Sequence, residues 1–416
     1  MRHTRKAIAV LLAAILILAG CGSAGTQPAP PDPEPPQVQP APPEQPTPPP
    51  EEPAPGEDLT EISLIFVEET DGTDDGVQRL VNSMQGSGVP FYQTAETPGG
   101  LIASGDVVLL KINAQWDERG GTNTDLIREV IRAILAHPEG FDGEIIVADN
   151  GQAQFGSAGR GGSLNWTNNN AADRSQSVMV VIEYFQQQGY RVTGSLWDEF
   201  TRVRVAEFSE GDYTDGFVVE DYIRSTGLEI TYPKFTTEFG THVSFREGVW
   251  DSVSQSYDSE RLRVINMPVL KHHGLFQVTG AVKNYMGTPS DFLTSRRAHV
   301  STGTGGMGTQ MAYTRMPALN IMDMIWIGTE RGPANPYYRA TQINLIAAST
   351  DPVALDYWTT RHVLMPASGA RAASMDPAGE YPGTFGHWLR LSMYELQNAG
   401  FAVTMDEDQM RIIQSR

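Results

Sequence analysis

The residues best suited to chemistry cluster in the second half of the chain. Lys271, His272 and His273 follow an apolar run broken by Pro268, and Lys283-Asn284 comes ten residues after His273. Two ammonium groups and two imidazoles within thirteen residues supply the charged donors that an anion requires, and imidazole also ligates metals. They imply an anion site or a metal–anion site. Thr279, Val282, Lys283 and Met286 are spaced as on a helix, which predicts Thr279 and Lys283 on one face. Basic surface residues beside an ordinary helix would give the same pattern.

Two further stretches could complete such a site. Lys111 stands at the exit of the apolar run Val107–Ile112, with Asn113 just beyond. A lysine there is costly to bury alone, so it must reach the sheet edge or a carboxylate. The helix expected from Thr124 offers free amides to an anion. A solvated Lys111 and a capping Asp125 would equally satisfy the pattern. In Ser349-Thr350-Asp351-Pro352-Val353-Ala354-Leu355-Asp356, Thr350 or Asp351 suits a helix N-cap and Pro352 the first turn. The alternative has Asp351 or Asp356 facing the Lys/His cluster. Together these give Lys283, His273 and Asp351 as the catalytic candidates, with Asp351 orienting the bases. Lys111, Asn113, Lys271 and Asn284 are the ligand-binding candidates.

The elements that must hold these residues alternate. Strands are expected at Ile62–Val67, Val107–Ile112, Ile145–Ala148, Leu262–Ile265, Ile343–Ala348 and Met410–Ile413, with strand-rich sequence from Thr201 to Tyr232. Helices are expected at Thr124–Ala136, Ser177–Gln188, Asp351 to about Leu364, and Gly386–Asn398. This rhythm predicts an α/β fold with a mostly parallel sheet flanked by helices. An irregular Gly-rich insertion or second lobe is expected between about 150 and 260. Ligands bind such sheets at the carboxyl ends of the strands, where Lys111 and the Lys/His cluster would stand. Gly156–Gly162 and Gly303–Gly308 lack the Lys-Ser/Thr ending of a phosphate loop and read as mobile loops.

The N-terminus reads as a targeting segment. Arg2, His3, Arg5 and Lys6 precede an apolar run from Ala7 to Ala19, too short to span ~30 Å of hydrocarbon comfortably. Leu18-Ala19-Gly20-Cys21 resembles a bacterial lipobox. That resemblance implies a cleaved signal (1–20), a lipidated Cys21 carrying palmitate-type acyl chains, and an exported protein held to a membrane. Cys21 is the one cysteine, so no thiol remains for a disulfide, a cysteine nucleophile or an iron–sulfur cluster. Fifteen of the 28 residues from Pro28 to Pro55 are proline, which makes residues 21–57 a tether and leaves 58–416 for the α/β domain. The net charge of −20 argues against nucleic acid as a partner.

Taken together, Lys111-Ile112-Asn113, Leu270 to His273, Val278 to Gly287 and Ser349 to Asp356 resemble, in order, the motifs of a family known as a domain of unknown function, number 362. The resemblance runs over roughly residues 100–365 and implies an α/β fold. Many members also carry ferredoxin-type cysteine clusters; this chain does not, so an electron-transfer role does not carry over. The order of features is also similar to that of nickel-pincer lactate racemases. That likeness implies a cofactor-bearing Lys283, His273 and His299 as metal ligands, and hydride chemistry on a hydroxy acid. The Asp-x-x-Arg-x-x-Pro segment of those enzymes is absent after the first strand here. The expectation is therefore a lipid-anchored protein with a Lys/His/Asp cleft for a small anion, with or without a divalent metal. A solute receptor or a scaffold is the alternative.

Overall fold

The computed structural model describes residues 62–71, 75–153, 161–369 and 372–414. The expected signal (1–20), Cys21 and the proline-rich stretch expected to be a tether (21–57) lie outside the described residues. No helix among the described residues is long and apolar enough to cross a membrane.

The central strands β2 (Val107–Lys111) and β3 (Glu144–Asp149) are buried along their whole length. Their unbroken apolar runs fit strands covered on both faces. Their side chains divide by the two-residue period. Val108, Leu110, Ile145 and Val147 pack with the helices α1 (Gly76–Gly86), α2 (Thr124–Leu135) and α3 (Val178–Gln186). Val107, Leu109, Ile146 and Ala148 face a second core on the other side. In α2 the spacing of Leu126, Ile127, Val130, Ile131 and Ile134 buries one face. Its N-cap is Asn123, whose side chain accepts from Asp125 N, so the cap stands two positions before the Asp125 that the sequence offers for it.

The main sheet also contains β1 (Ser63–Glu69), β4 (Val192–Leu196), β10 (Leu262–Asn266), β13 (Leu319–Gly328), β14 (Ala340–Ser349) and β15 (Met410–Gln414), in the order β15-β1-β14-β13-β10-β2-β3-β4. The run from β13 through β10, β2 and β3 to β4 is parallel, while β14 runs antiparallel to both β1 and β13. The sheet is therefore mostly parallel, as the alternation implies. Two short strands, β11 (Val269–His273) and β12 (Gln277–Thr279), form a hairpin against β13.

The expected irregular lobe is a second sheet, antiparallel throughout: β5 (Gly216–Ile223), β6 (Leu228–Thr236), β7 (His242–Ser244), β8 (Gly248–Asp251) and β9 (Ser256–Asp258). It is not a separate lobe, because Phe217, Tyr232, Phe235 and Phe245 share the second core with β2 and β3.

Two local expectations are corrected. The helix anticipated across Thr279 to Met286 is only α4 (Ala281–Asn284) followed by one 3-10 turn, Tyr285–Gly287, and Thr279 closes β12. Gly303–Gly308 is not a loop: Gly303 and Thr304 belong to a 3-10 turn (Thr302–Thr304) that follows the short α5 (Arg297–Ser301), and Gly306 to Gly308 are the buried start of α6 (Gly306–Tyr313). Gly308 must lack a side chain, since a Cβ there would stand 2.3 Å from the backbone oxygen of Ser392 on the terminal helix. Of Gly156–Gly162, only Gly161 and Gly162 lie among the described residues.

Candidate functional site

A cavity of about 310 Å³ opens where β2 and β3 end. Register places Asn266, Lys111 and Ala148 side by side across β10, β2 and β3, so the next residues of β2 and β3 emerge together. Lys111, Asn113, Lys271, His273, Lys283, Asn284 and His299 all line this cavity. Sequence separations of up to 188 residues thus close onto one wall, and Asp351 is the one predicted site residue that does not reach it.

The three lysines differ in how far they are satisfied. Lys111 Nζ meets Asp149 Oδ1 at 2.8 Å and donates to the carbonyl of Ile112 at 2.7 Å. The pair presses on Gly287, where a Cβ would come within 2.2 Å of Asp149 Oδ1 and 2.6 Å of Lys111 Nζ. This close approach is why the Val278–Gly287 motif ends in glycine. Lys271 Nζ donates to the carbonyl of Gly120. Lys283 has no hydrogen-bond or ion-pair partner among the described residues; its ammonium stands 5.5 Å from the ring centre of Phe276, and the residue as a whole is 7 % exposed. Burial and the nearby Lys111 push Lys283 down to about 8, against the pull of Asp291. Burial and the charge of Lys283 lower Lys271 well below the usual lysine range. Burial likewise lowers Lys111, against the pull of Asp149.

His273 is held in a defined tautomer. Its Nδ1 accepts from the amides of Leu275 and Phe276, at 3.2 and 3.1 Å, which assigns the remaining proton to Nε2. Burial and the charge of Lys283 drive its pKa far below the usual histidine value, so the ring is neutral. The rings of His273 and His299 lie 6.0 Å apart, and burial lowers His299 to about 4. Their proximity brings together the trio of the racemase likeness, but it does not suit a metal. An Nε2 that carries a proton cannot ligate, and Nδ1 already receives two amides. Among the described residues, no group of three or more His, Cys, Asp or Glu side chains could hold a metal ion.

Asparagines tie the strand ends to the helix that presents Lys283. Asn113 Nδ2 donates to Asn284 Oδ1, Asn284 Nδ2 to Asn266 Oδ1 at 2.8 Å, and Asn266 Nδ2 to Asn320 Oδ1 at 2.9 Å. Asn284 is therefore a positioning group as much as a lining one. The N-terminus of α4 is held by Asp356, whose carboxylate accepts from the amides of Ala281 and Val282. Gly280 makes room for it, since a Cβ there would sit 2.2 Å from Asp356 Oδ1.

Asp351 is corrected from an orienting carboxylate of the site to a helix cap. It is the N-cap of α7 (Pro352–Thr359), with Oδ1 accepting from Val353 N and Ala354 N at 2.8 and 2.9 Å. Its Oδ2 accepts from Ser63 Oγ at 2.6 Å and Thr404 N at 2.9 Å, which ties β1 and the C-terminal segment to the helix. The carboxylates that do line the cavity are Asp149 and Asp291. Asp149 carried a usable signal, standing at the end of the apolar run Ile145–Ala148 just as Lys111 ends its own run. Asp291 lies in polar sequence with no such mark.

The comparisons bear on the same region. Residues 219–361 match the model of the family described as Domain of unknown function (DUF362). This segment belongs to that family. It holds His273, Lys283, His299 and both aspartates of the α7 start, and is narrower than the stretch the motifs suggested. Lys111, Asn113 and Asp149 stand outside it, so the DUF362 segment supplies one side of the cavity and earlier strands the other. No curated protein and no solved structure matches the chain.

Proposed function

We propose that the cavity binds a small anionic ligand, and that the protein presents it outside the cytoplasm, anchored to a membrane through lipid on Cys21. The observation that carries the ligand reading is the ammonium of Lys283, which lines the cavity on a mostly buried residue and has no hydrogen-bond or ion-pair partner among the described residues. Leaving such a donor unmatched is costly, and an anion would satisfy it. Other free capacity supports the same sign. An ammonium has three N–H donors, of which Lys111 uses two and Lys271 one, and His273 offers its Nε2–H. Thr279 Oγ1 is a buried hydroxyl without a hydrogen-bond partner among the described residues and lines the same space. Three lysines face two aspartates there, within a chain of net charge −20. At about 310 Å³ the cavity is at the small end of the range for small-molecule sites, with room for a small organic anion or the charged end of a larger one. Lys283 and Lys271 act as the clamp, with Lys111 held ready by Asp149. Whether turnover follows binding separates an enzyme from a receptor.

The test is calorimetric titration of the purified chain with inorganic phosphate and with propionate. Saturable binding to one site, absent in Lys283→Met, is the expected result. No binding of either anion by a folded protein would overturn the reading. For the anchor, Cys21→Ser should release the protein from membranes; unchanged fractionation would reject that part alone.

A further inference from the structure

We propose that Lys283 is an imine-forming lysine and that the ligand is a small oxo acid, a compound carrying a carbonyl beside a carboxylate. The inference rests on the anion reading and adds a covalent step to it. It begins from the division of labour among the three lysines. Lys111 is committed to Asp149 and the carbonyl of Ile112, and Lys271 to the carbonyl of Gly120. Both are pinned in place and can offer only their spare donors to a carboxylate. Among the described residues Lys283 makes no hydrogen bond or ion pair; it meets the face of Phe276 and feels Asp291 only as a Coulombic pull. An amine in that position, desolvated and beside other cations, is the arrangement that makes lysine a nucleophile.

The neighbours fit this division. The groups facing Lys283 across the cavity are Lys111, Lys271, Asp149, Asp291, His273 and His299. Lys111 and burial lower the Lys283 ammonium to about 8, so about a tenth of it is free amine at pH 7, against roughly 0.03 % for an ordinary lysine. His273, with its proton on Nε2, can donate to a carbonyl oxygen, and the hydroxyl of Thr279 is a second unused donor on that wall. Asp356 and the asparagine chain fix α4, so Lys283 is presented from a held backbone.

The step balances without a co-reactant. The Lys283 amine adds to the carbonyl carbon, forming the C–N bond of a carbinolamine. Both amine hydrogens then leave with the carbonyl oxygen as one water, and the C=N bond closes. Nothing is oxidised or reduced.

The experiment treats the full chain with pyruvate in the presence of cyanoborohydride, which reduces an imine to a stable secondary amine, and then maps peptides by mass. The expected product is one carboxyethyl group on Lys283, formed at least tenfold faster than on any other lysine. Propionate, which has the carboxylate but no ketone, should protect Lys283 by competition. Lys283→Arg keeps the positive charge but cannot form an imine; it should lose the adduct at position 283 while slow labelling of the other lysines stays as in the wild type. If pyruvate and propionate bind equally and Lys283 stays unmodified, the imine is overturned while the anion site stands. If neither binds and labelling is spread over surface lysines, both readings fall together.

Discussion

The Lys283 turn and the Asp351 helix start each place a charged side chain in a motif that could do chemistry, and the structure gives them opposite tasks. Around Lys283 the backbone is held by Asp356 and Asn284 while the side chain is left without a partner. At Asp351 the side chain is itself the fastening, with both oxygens accepting two hydrogen bonds each. A motif alone does not tell a binding group from a brace. Unused hydrogen-bonding capacity beside a cavity does, because a saturated carboxylate has nothing left to offer a ligand.

Several substitutions would break or sharpen that contrast. Lys283→Met should have the largest effect, lowering phosphate affinity by at least ~100-fold, as expected for losing a charge-assisted contact. The melting temperature should hold or rise, since an unpaired buried charge is removed. A large fall in melting temperature with unchanged affinity would reverse the assignment. Asp351→Ala should do the opposite. Losing the cap costs ~0.5–2 kcal/mol, and stranding Ser63 and Thr404 adds to it. Denaturant unfolding should show this with phosphate affinity changed less than twofold; a tenfold loss in a folded protein would put Asp351 back in the site.

Asp356→Ala lies between the two. It frees two amides of α4 at a cost of about 1–3 kcal/mol and loosens the mount of Lys283, so stability and affinity should fall together. Loss of stability with wild-type affinity would show that α4 holds its place without the carboxylate.

The pH dependence separates the regions too. Lys283 is charged below its value of about 8 and neutral above it, so anion affinity should fall toward tenfold per unit above pH 8. Because His273 and His299 are already neutral at pH 6, no inflection is expected near 6.5. The braces run the other way in stability. Burial lifts Asp351 to about 6 and Asp356 to about 7, so the folded state holds these protons more tightly than the unfolded one. Their contribution is greatest below the unfolded value near 4 and is lost as pH rises to about 7. Urea midpoints across that window should drift downward in the wild type and flatten in Asp356→Asn. The smallest effect is that of His273→Ala, which removes one neutral donor and should weaken phosphate by about 1 kcal/mol.

Much of the frame was legible in the chain. The alternation of apolar runs and amphipathic stretches announced a mostly parallel sheet, because buried parallel strands need apolar residues on both faces and their crossovers need helices. The same runs marked Lys111 as a residue at a strand's carboxyl end, and the Lys/His cluster declared itself by composition. Helical spacing over Thr279–Gly287 suggests a longer helix than forms, because spacing is blind to the strand pairing that Lys271↔Thr279 imposes. The glycines of Gly303–Gly308 suggest a loop, because only the packing of α6 on the terminal helix shows why bare backbone is needed at Gly308.

The tertiary structure decided which charges meet. Lys111 and Asp149 are 38 residues apart in sequence and 2.8 Å apart in space, because β2 and β3 are parallel neighbours in register. Asp351 and Asp356 stand five residues apart on one helix start, yet one braces β1 and the other braces α4. Residue type and spacing fix what a side chain can donate or accept. Whether that capacity is already spent depends on partners that only the folded chain brings within hydrogen-bond reach.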